Sequence, residues 1–538
     1  KNASTKTPDP KIDLTAENNK EINITGGTES IGIYAPASKV SKVGKITMAN
    51  GVTKSIATYI SKGTTIADTA SAEINLGTSG TNIAYYVKNK DTSLGTSADL
   101  GKVTGYGIGV YLTGTSSTDK AVLAATAPEF NFKKGGATGD GIIGLYVKGD
   151  TDISAYTKTI TVGDRAGTET NPINATGVYV EAQGTSTTPY EIKAKIAAGE
   201  NSVGIFSHSG TNKSYIKYLG TQMDLRKGAT AFYVNGKTEL DTTAATTTIN
   251  LAGGVVAYVT EGSEFVAGKT IVNLSGKAIG VYGERGAQVD VGSWTFNNNG
   301  NAAEEVRLKE GQAKVTTNKS LKPKMVLTHV INGETYLAAN KTVTSVHDGK
   351  YKSEENIGLM AQGLKNPTTP PGVTAWYDAN FEIVNSGTIN FTTAKNSTAI
   401  FAESARAKND GVIKLGQGST GIYGVYKADS PKLKIGGVEV ANKLEIETTS
   451  KSDINLGKSS TGMYLINAQK LTSAAGGKIE SAAGATNNVG IYAINGKVDV
   501  KGSATDKAEA NAYNSKAANF NILNMDNKAN ITLGNGSV

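Results

Sequence analysis

The sequence predicts an all-β protein: a single-stranded parallel β-helix, in which one chain coils on itself as a solenoid. Three observations predict it. The block IKLGQGSTGIY at 413–423 returns as INLGKSSTGMY at 454–464, and looser copies run along most of the chain. The aligned aromatic position recurs at a nearly fixed spacing in the middle twenties, as Tyr34, Tyr59, Tyr86 and Tyr111, and again as Tyr179, Phe206 and Tyr233. Within each block apolar and polar residues alternate with period two, and no helical periodicity recurs. A period in the twenties marks a solenoid. The leucine-rich pattern L-x-x-L-x-L-x-x-N is missing, so stacked strands remain.

Each coil needs about three strands. Gly-Ile-Tyr supplies one, as Gly32-Ile33-Tyr34, Gly177-Val178-Tyr179, Gly421-Ile422-Tyr423 and Gly490-Ile491-Tyr492. The residue before the aliphatic one is Gly or Ala, so something packs close there. In GVYVE at 177–181, simple alternation puts Val178 and Val180 on one face and Gly177, Tyr179 and Glu181 on the other. The tyrosines are therefore expected outside, over the small residue, as a self-stacking ladder. The I-x-L block supplies a second strand, as Ile74-Asn75-Leu76, Ile249-Asn250-Leu251 and Ile454-Asn455-Leu456. A looser block supplies the third, as Val289-Asp290-Val291, Leu444-Glu445-Ile446 and Val498-Asp499-Val500. Alternation turns the aliphatics inward and Asn, Asp and Glu outward.

Read in order, residues 1–292 are coils, 293–382 an irregular insertion, and 383–538 coils again. The insertion reflects the largest gap in the aromatic spacing, from Tyr282 to Met360. Within it AAEEVRLKEG at 302–311 reads as a short helix, and Asn332-Gly333 as the turn of a hairpin, with extra coils around them. The longer spacings from Tyr111 to Tyr146, from Met360 to Phe401 and from Tyr423 to Tyr464 imply loop excursions or an unmarked coil. Residues 502–519 read as a loop. The chain opens at Lys1 without a signal peptide, and ITLGNGSV at 531–538 begins another copy, so both ends are expected to be cut from something longer.

Composition narrows the function. There are 64 Gly, 11 Pro and no Cys, and 38% of residues are hydrophobic, sufficient for a thin core. The lack of Cys suits a cytosolic protein, or a passenger that crosses a membrane unfolded. The net charge of +8 is spread without basic runs, so no nucleic-acid partner is expected. The three His are far apart and no H-E-x-x-H, G-x-S-x-G or P-loop of the right length occurs. GSEFVAGKT at 262–270 is a turn between coils. Asp150 and Asp152 come nearest to paired carboxylates, but no neighbouring coil repeats the Asp, so solvated turn residues are expected. The basic and aromatic stretch KSYIKYLGTQMDLRKG at 213–228 reads as a solvated strand face. No catalytic residue, metal or cofactor is expected. The alternative is a polysaccharide-cleaving parallel β-helix enzyme, which would need carboxylates clustered on adjacent coils.

A binding determinant is expected in 293–382, because loops that leave a rigid stack vary at least cost. This stretch holds Trp294, Arg307, Trp376, Tyr377 and Asp378, the last three beside Pro370-Pro371. Trp, Tyr and Arg are the residue types that anchor interfaces. The plainer expectation for each Trp is that it fills a local core.

The segments LGQGSTGIYG, LGKSSTGMY and NNVGIYAING, with KPKMVLTHVINGETYLA, resemble the passenger repeats of fusobacterial type V autotransporter adhesins, the large RadD-like outer-membrane group. The resemblance covers most of the chain. It implies a right-handed β-helix exposed on the bacterial surface, held to the outer membrane by a C-terminal β-barrel outside this sequence. It implies coaggregation with other bacteria and attachment to host cells through protein or glycan receptors, as a virulence factor.

Overall fold

A computed structural model describes residues 13–14, 21–90, 92–132, 142–163, 174–209, 213–240, 247–276, 278–298, 303–347, 352–363, 376–377, 381–427, 432–435, 438–440, 443–494 and 524–538. The fold is a parallel β-helix, and every regular element among these residues is a strand. The chain divides into two units, Lys1–Gly276 and Lys277–Val538.

In the first unit one coil runs Val203–His208, Tyr215–Tyr218, Gln222–Leu225 and then enters the next at Ala229–Asn235. Each strand pairs in parallel with its counterpart one coil on, Ile205 with Phe232, Ile216 with Thr238 and Met223 with Ile249. The first-strand sheet, which carries the Gly-Ile-Tyr block, runs from Ile31–Pro36 to Gly254–Val259. The second unit repeats the plan. Its first-strand sheet runs from Ala278–Gly283 to Val489–Ile494, and I-x-L forms the third strand, as in Asp453–Leu456. The inward aliphatics form the core: Ile422, Ile454 and Leu456 are each 0% exposed. Burying one such side chain stabilises by roughly 1.5–3 kcal/mol, so strand alternation repeated coil after coil drives the stack.

The tyrosines face outward as expected, but the glycine before them does not. A Cβ on Gly177 would lie 2.9 Å from Cγ2 of the core residue Ile196 and 2.6 Å from the Gly204 carbonyl oxygen one coil on. Gly144, Gly204, Gly421 and Gly462 likewise face core side chains. Gly177 and Val178 are thus consecutive buried residues, and the strand bends between them. The ladder shows the break, pairing Ile143 with Thr176 and Leu145 with Val178 but skipping the glycines. Strict period-two reading fails here because the chain turns a corner of the coil inside the strand.

The Ser of STGIY is also structural. It stands just before the first strand and its hydroxyl accepts the backbone N–H of the preceding coil. Ser397 N donates to Ser419 Oγ at 3.1 Å, Ser419 N to Ser460 Oγ at 3.3 Å and Ser460 N to Asn488 Oδ1 at 2.9 Å. These side chains are buried, where an unpaired N–H would cost about 1–3 kcal/mol. At the opposite end of the strand a left-handed residue makes the next corner, as at Ala182 (φ 46°), Glu310 (φ 60°), Asn332 (φ 54°), Ser404 (φ 48°) and Asn467 (φ 54°).

The described residues of 303–347 form ordinary coil strands. The helix expected over 302–311 is instead the strand Ala303–Lys309, pairing on one side with Ala278–Gly283 and on the other with Met325–Ile331. Its buried Ala303, Glu305, Val306 and Leu308 follow the first-strand pattern. The expected hairpin does not form: Met325–Ile331 and Glu334–Leu337 lie in different sheets, and Asn332 is the ordinary left-handed corner between them. The two equal long spacings, Met360 to Phe401 and Tyr423 to Tyr464, are excursions at this same corner, after Ile357–Gln362 and after Thr420–Val425. Residues 502–519 and the strand expected around Val498-Asp499-Val500 lie outside the described residues.

Candidate functional site

Three surface features are built by the coil geometry. The first is the outward aromatic column of the first-strand sheet. In the first unit Tyr34, Tyr59, Tyr86, Tyr111, Tyr146, Tyr179, Phe206, Tyr233 and Tyr258 stack in one file, with ring centroids 4.6–5.1 Å apart. In the second unit Phe401, Tyr423, Tyr464 and Tyr492 do the same. The spacing equals the rise of one coil, so register alone makes the ladder. Stacking occupies both faces of each inner ring and leaves only edges to solvent. Partial burial pushes the hydroxyls of Tyr86 and Tyr111 up to about 12. Tyr146 is pushed up further, first by burial and then by its hydrogen bond to Glu181.

The second feature is the corner after the first strand of the second unit. The coils of Ile357–Gln362 and Thr420–Val425 both send long excursions from it, while the coil between them turns tightly through Ser404 and Ala405. The two excursions meet. Trp376–Tyr377 pairs in parallel with Lys432–Ile435, Trp376 opposite Lys432 and Tyr377 opposite Leu433. Lys432–Ile435 then pairs antiparallel with Val438–Val440. A three-stranded side sheet results, outside the three sheets of the coil.

The residues singled out in the sequence are not brought to one place. Trp294 is 3% exposed, packed edge-on against Phe296 with centroids 5.1 Å apart, and its carbonyl accepts from Lys319 Nζ at 2.9 Å. It fills a core and offers no surface to a partner. Arg307 occupies an aromatic-column position between Tyr282 and His329, its side chain 40% exposed and 3.6 Å from Glu304. Trp376 and Tyr377 are in the side sheet, and Asp378 lies outside the described residues. The partner strand Lys432–Ile435 was missed. Its signal was the long spacing from Tyr423 to Tyr464, equal to that from Met360 to Phe401.

The third feature is a groove of about 780 Å³ in the first unit, lined by corner residues of three successive coils, among them Lys120, Asp150, Asp152, Gln183, Tyr190 and Glu191. It opens where the second-strand sheet is split: Ala121–Val122 pairs with Thr151–Asp152, and a separate sheet starts at Tyr190–Ile192. Tyr190 spans the split, its hydroxyl 2.9 Å from Thr151 Oγ1, and Gln183 Nε2 donates to the Gly149 carbonyl at 2.6 Å. Burial raises the Tyr190 hydroxyl above its ordinary value. The Asp152 carboxylate accepts from Ser154 N at 2.9 Å, and Glu191 pairs with Lys193 at 3.4 Å. Asp150 and Asp152 border this groove, and among the described residues they build no acidic group placed to hold a metal ion. The next coil contributes a Glu, Glu191, which a search for repeated Asp overlooks.

Among the described residues no group of three or more His, Asp or Glu is placed to hold a metal ion. His208 lies near the aromatic column, 6.3 Å from Tyr179 between ring centroids, and His347 bonds Glu354. No described helix is long and apolar enough to cross a membrane. No protein-family model and no curated protein matches the chain.

Proposed function

We propose that the chain is a non-enzymatic passenger region of a bacterial autotransporter adhesin. It is displayed on the outer surface and attaches to host cells and to other bacteria through protein or glycan receptors. The observation that carries this reading is the side sheet. Two coils of the second unit extend their chain at one corner, and the extensions pair with each other outside the stack. A rigid scaffold bearing extended segments at one place is the arrangement recognition loops commonly use. The likeness of the STGIY repeats to adhesin passengers supports the same reading.

The test is to replace 364–380 and 428–442 with the short corner of the coil between them, confirm the β circular dichroism, and measure attachment to partner cells. Loss of attachment is expected. Undiminished attachment with both segments exchanged would sink the proposal for this corner.

One observation favours polysaccharide cleavage as a second reading: Asp150, Asp152 and Glu191 border one groove on two adjacent coils. Release of new sugar ends from a polysaccharide panel, abolished by Asp150→Asn, is the result it requires.

A further inference from the structure

In the middle of the second unit the aromatic column is interrupted. Arg307, His329 and Met360 stand in register where rings stand elsewhere. A chain of polar contacts crosses the outer face there, moving one coil at each step. Glu304 Oε1 is 3.0 Å from His329 Nδ1, and His329 Nε2 is 2.5 Å from Gln362 Oε1. Gln362 Nε2 donates to Glu403 Oε2 at 3.1 Å, and Lys427 Nζ closes on Glu403 Oε1 at 2.9 Å. Glu304 to Glu403 spans four consecutive first strands, Ala303–Lys309, Met325–Ile331, Ile357–Gln362 and Thr398–Glu403. Lys427 lies just beyond the fifth, Thr420–Val425, at the root of the second excursion.

The direction of each bond follows from donor and acceptor inventory. An ionised carboxylate only accepts, so Glu403 fixes the Gln362 amide nitrogen toward itself. That turns the Gln362 oxygen toward His329, which must donate from Nε2. Glu304, also a carboxylate, needs a donor at Nδ1. A neutral imidazole has one N–H and an imidazolium two. Only the imidazolium completes the chain. His329 is 7% exposed, so water is a poor substitute for a lost partner.

We infer that His329 is an acid-completed latch: with both ring nitrogens protonated it ties four coils of the second unit into one hydrogen-bonded line that ends on Lys427, and loss of one proton opens that line. The charged groups facing the ring from the packed strands are Glu304, Arg307 and Lys309 on one side and Glu403 with Lys427 beyond Gln362 on the other. Arg307 opposes the imidazolium charge and already pairs with Glu304 at 3.6 Å, while the carboxylates favour the charge. The line is complete only while both ring nitrogens carry a proton, and one link of it is missing when either is lost. The inference does not depend on what the side sheet binds.

The test uses the full chain with histidine-selective ¹⁵N labelling, His329→Gln assigning the signal among three histidines. At pH 5.5 the ring should show two protonated nitrogens. Between pH 5.5 and 8, hydrogen-exchange protection of 303–309, 325–331, 357–362 and 398–403, corrected for the intrinsic rate, should fall about tenfold as one charge-assisted bond is lost. His329→Gln should remove that step. Should it fold poorly, Glu403→Gln serves instead, because Gln362 is then free to turn its amide and a neutral ring suffices. A singly protonated ring at pH 5.5, or protection unchanged while the ring titrates, would overturn the inference.

Discussion

Lys319 and Glu305 form an ion pair inside the core of the second unit, each side chain only 3% exposed. Glu305 stands between the inward corner glycine of the preceding coil, Gly280, and the buried Leu327 of the next, since Val306 pairs with Val281 and with Thr328. Lys319 comes from the third strand of the same coil and also donates to the carbonyls of Gly292 and Trp294 at 3.0 and 2.9 Å. Burial pushes Glu305 up and Lys319 down, and each is held back by the other's charge.

Removing one partner strands the other. Lys319→Met should cost about 3–5 kcal/mol by denaturant unfolding, because a buried carboxylate is left alone. Glu305→Gly with Lys319→Leu removes both buried charges, matches the glycine of the preceding coil and should recover most of the loss. If the double variant instead loses the sum of the two singles, the residues are not coupled.

The inward corner glycine sets a second expectation. A Cβ on Gly421 would meet the Gly462 carbonyl oxygen at 2.5 Å and Ile454 Cγ2 at 3.2 Å. Gly421→Val should destabilise by about 1–3 kcal/mol through overpacking. Gly26, with nothing within 4 Å of its Cβ position, should accept Ala with little change. Equal melting temperatures for both variants would show that the corner yields.

Strand faces are tested by a third pair. Ile422 is fully buried and Asn455 faces outward between Lys414 and Glu480. Ile422→Asp should abolish cooperative folding, since an unpaired charge enters the core. Asn455→Asp should leave the circular dichroism spectrum unchanged and shift stability by less than about 0.5 kcal/mol.

The aromatic column sets a pH limit. Tyr86 and Tyr111 ionise at about 12 when folded, against 10.0 when free. Between these values the folded state holds protons that the unfolded state has released, so stability falls as pH rises from 10 to 12. Spectrophotometric titration of the folded chain should show these tyrosines ionising late, followed by unfolding. Titration of every tyrosine near 10 with the fold intact would contradict the stacked geometry.

The coil repeat was legible because outward Tyr and inward Ile recur in sequence at the rise of the structure. Two coils carry no aromatic mark, Glu305-Val306-Arg307 and Leu327-Thr328-His329. Pairing requires the inward aliphatics and the backbone bonds, while the outward residue is free to vary, so a search keyed to Tyr stops where Arg and His replace it. The spacing of Glu and Lys in AAEEVRLKEG suits a helix, but parallel neighbours on both sides supply every strand bond and win. The glycine faced inward because the strand bends at it, which alternation does not encode. Trp294 is buried with Phe296 of its own coil, and Lys319 of the next coil bonds its carbonyl, contacts that composition does not reveal. The Glu304–His329–Gln362–Glu403 line joins residues 25, 33 and 41 apart, at spacings set by coil length and not by any motif.

Column-by-column pairing makes chain length a discrete quantity. Phe401 stands against Tyr423, Ile400 against Ile422 and Thr398 against Thr420, each the same position one coil on. Removing that single coil as a block brings Leu359 against Ile422 and Met360 against Tyr423, and the sheets and the serine file close over the join. Removing half of it would set aliphatics against solvent and hydroxyls against the core. Within such a stack, duplication and loss are tolerated in whole turns, so gene changes can lengthen or shorten it while each surviving coil meets a neighbour of its own kind.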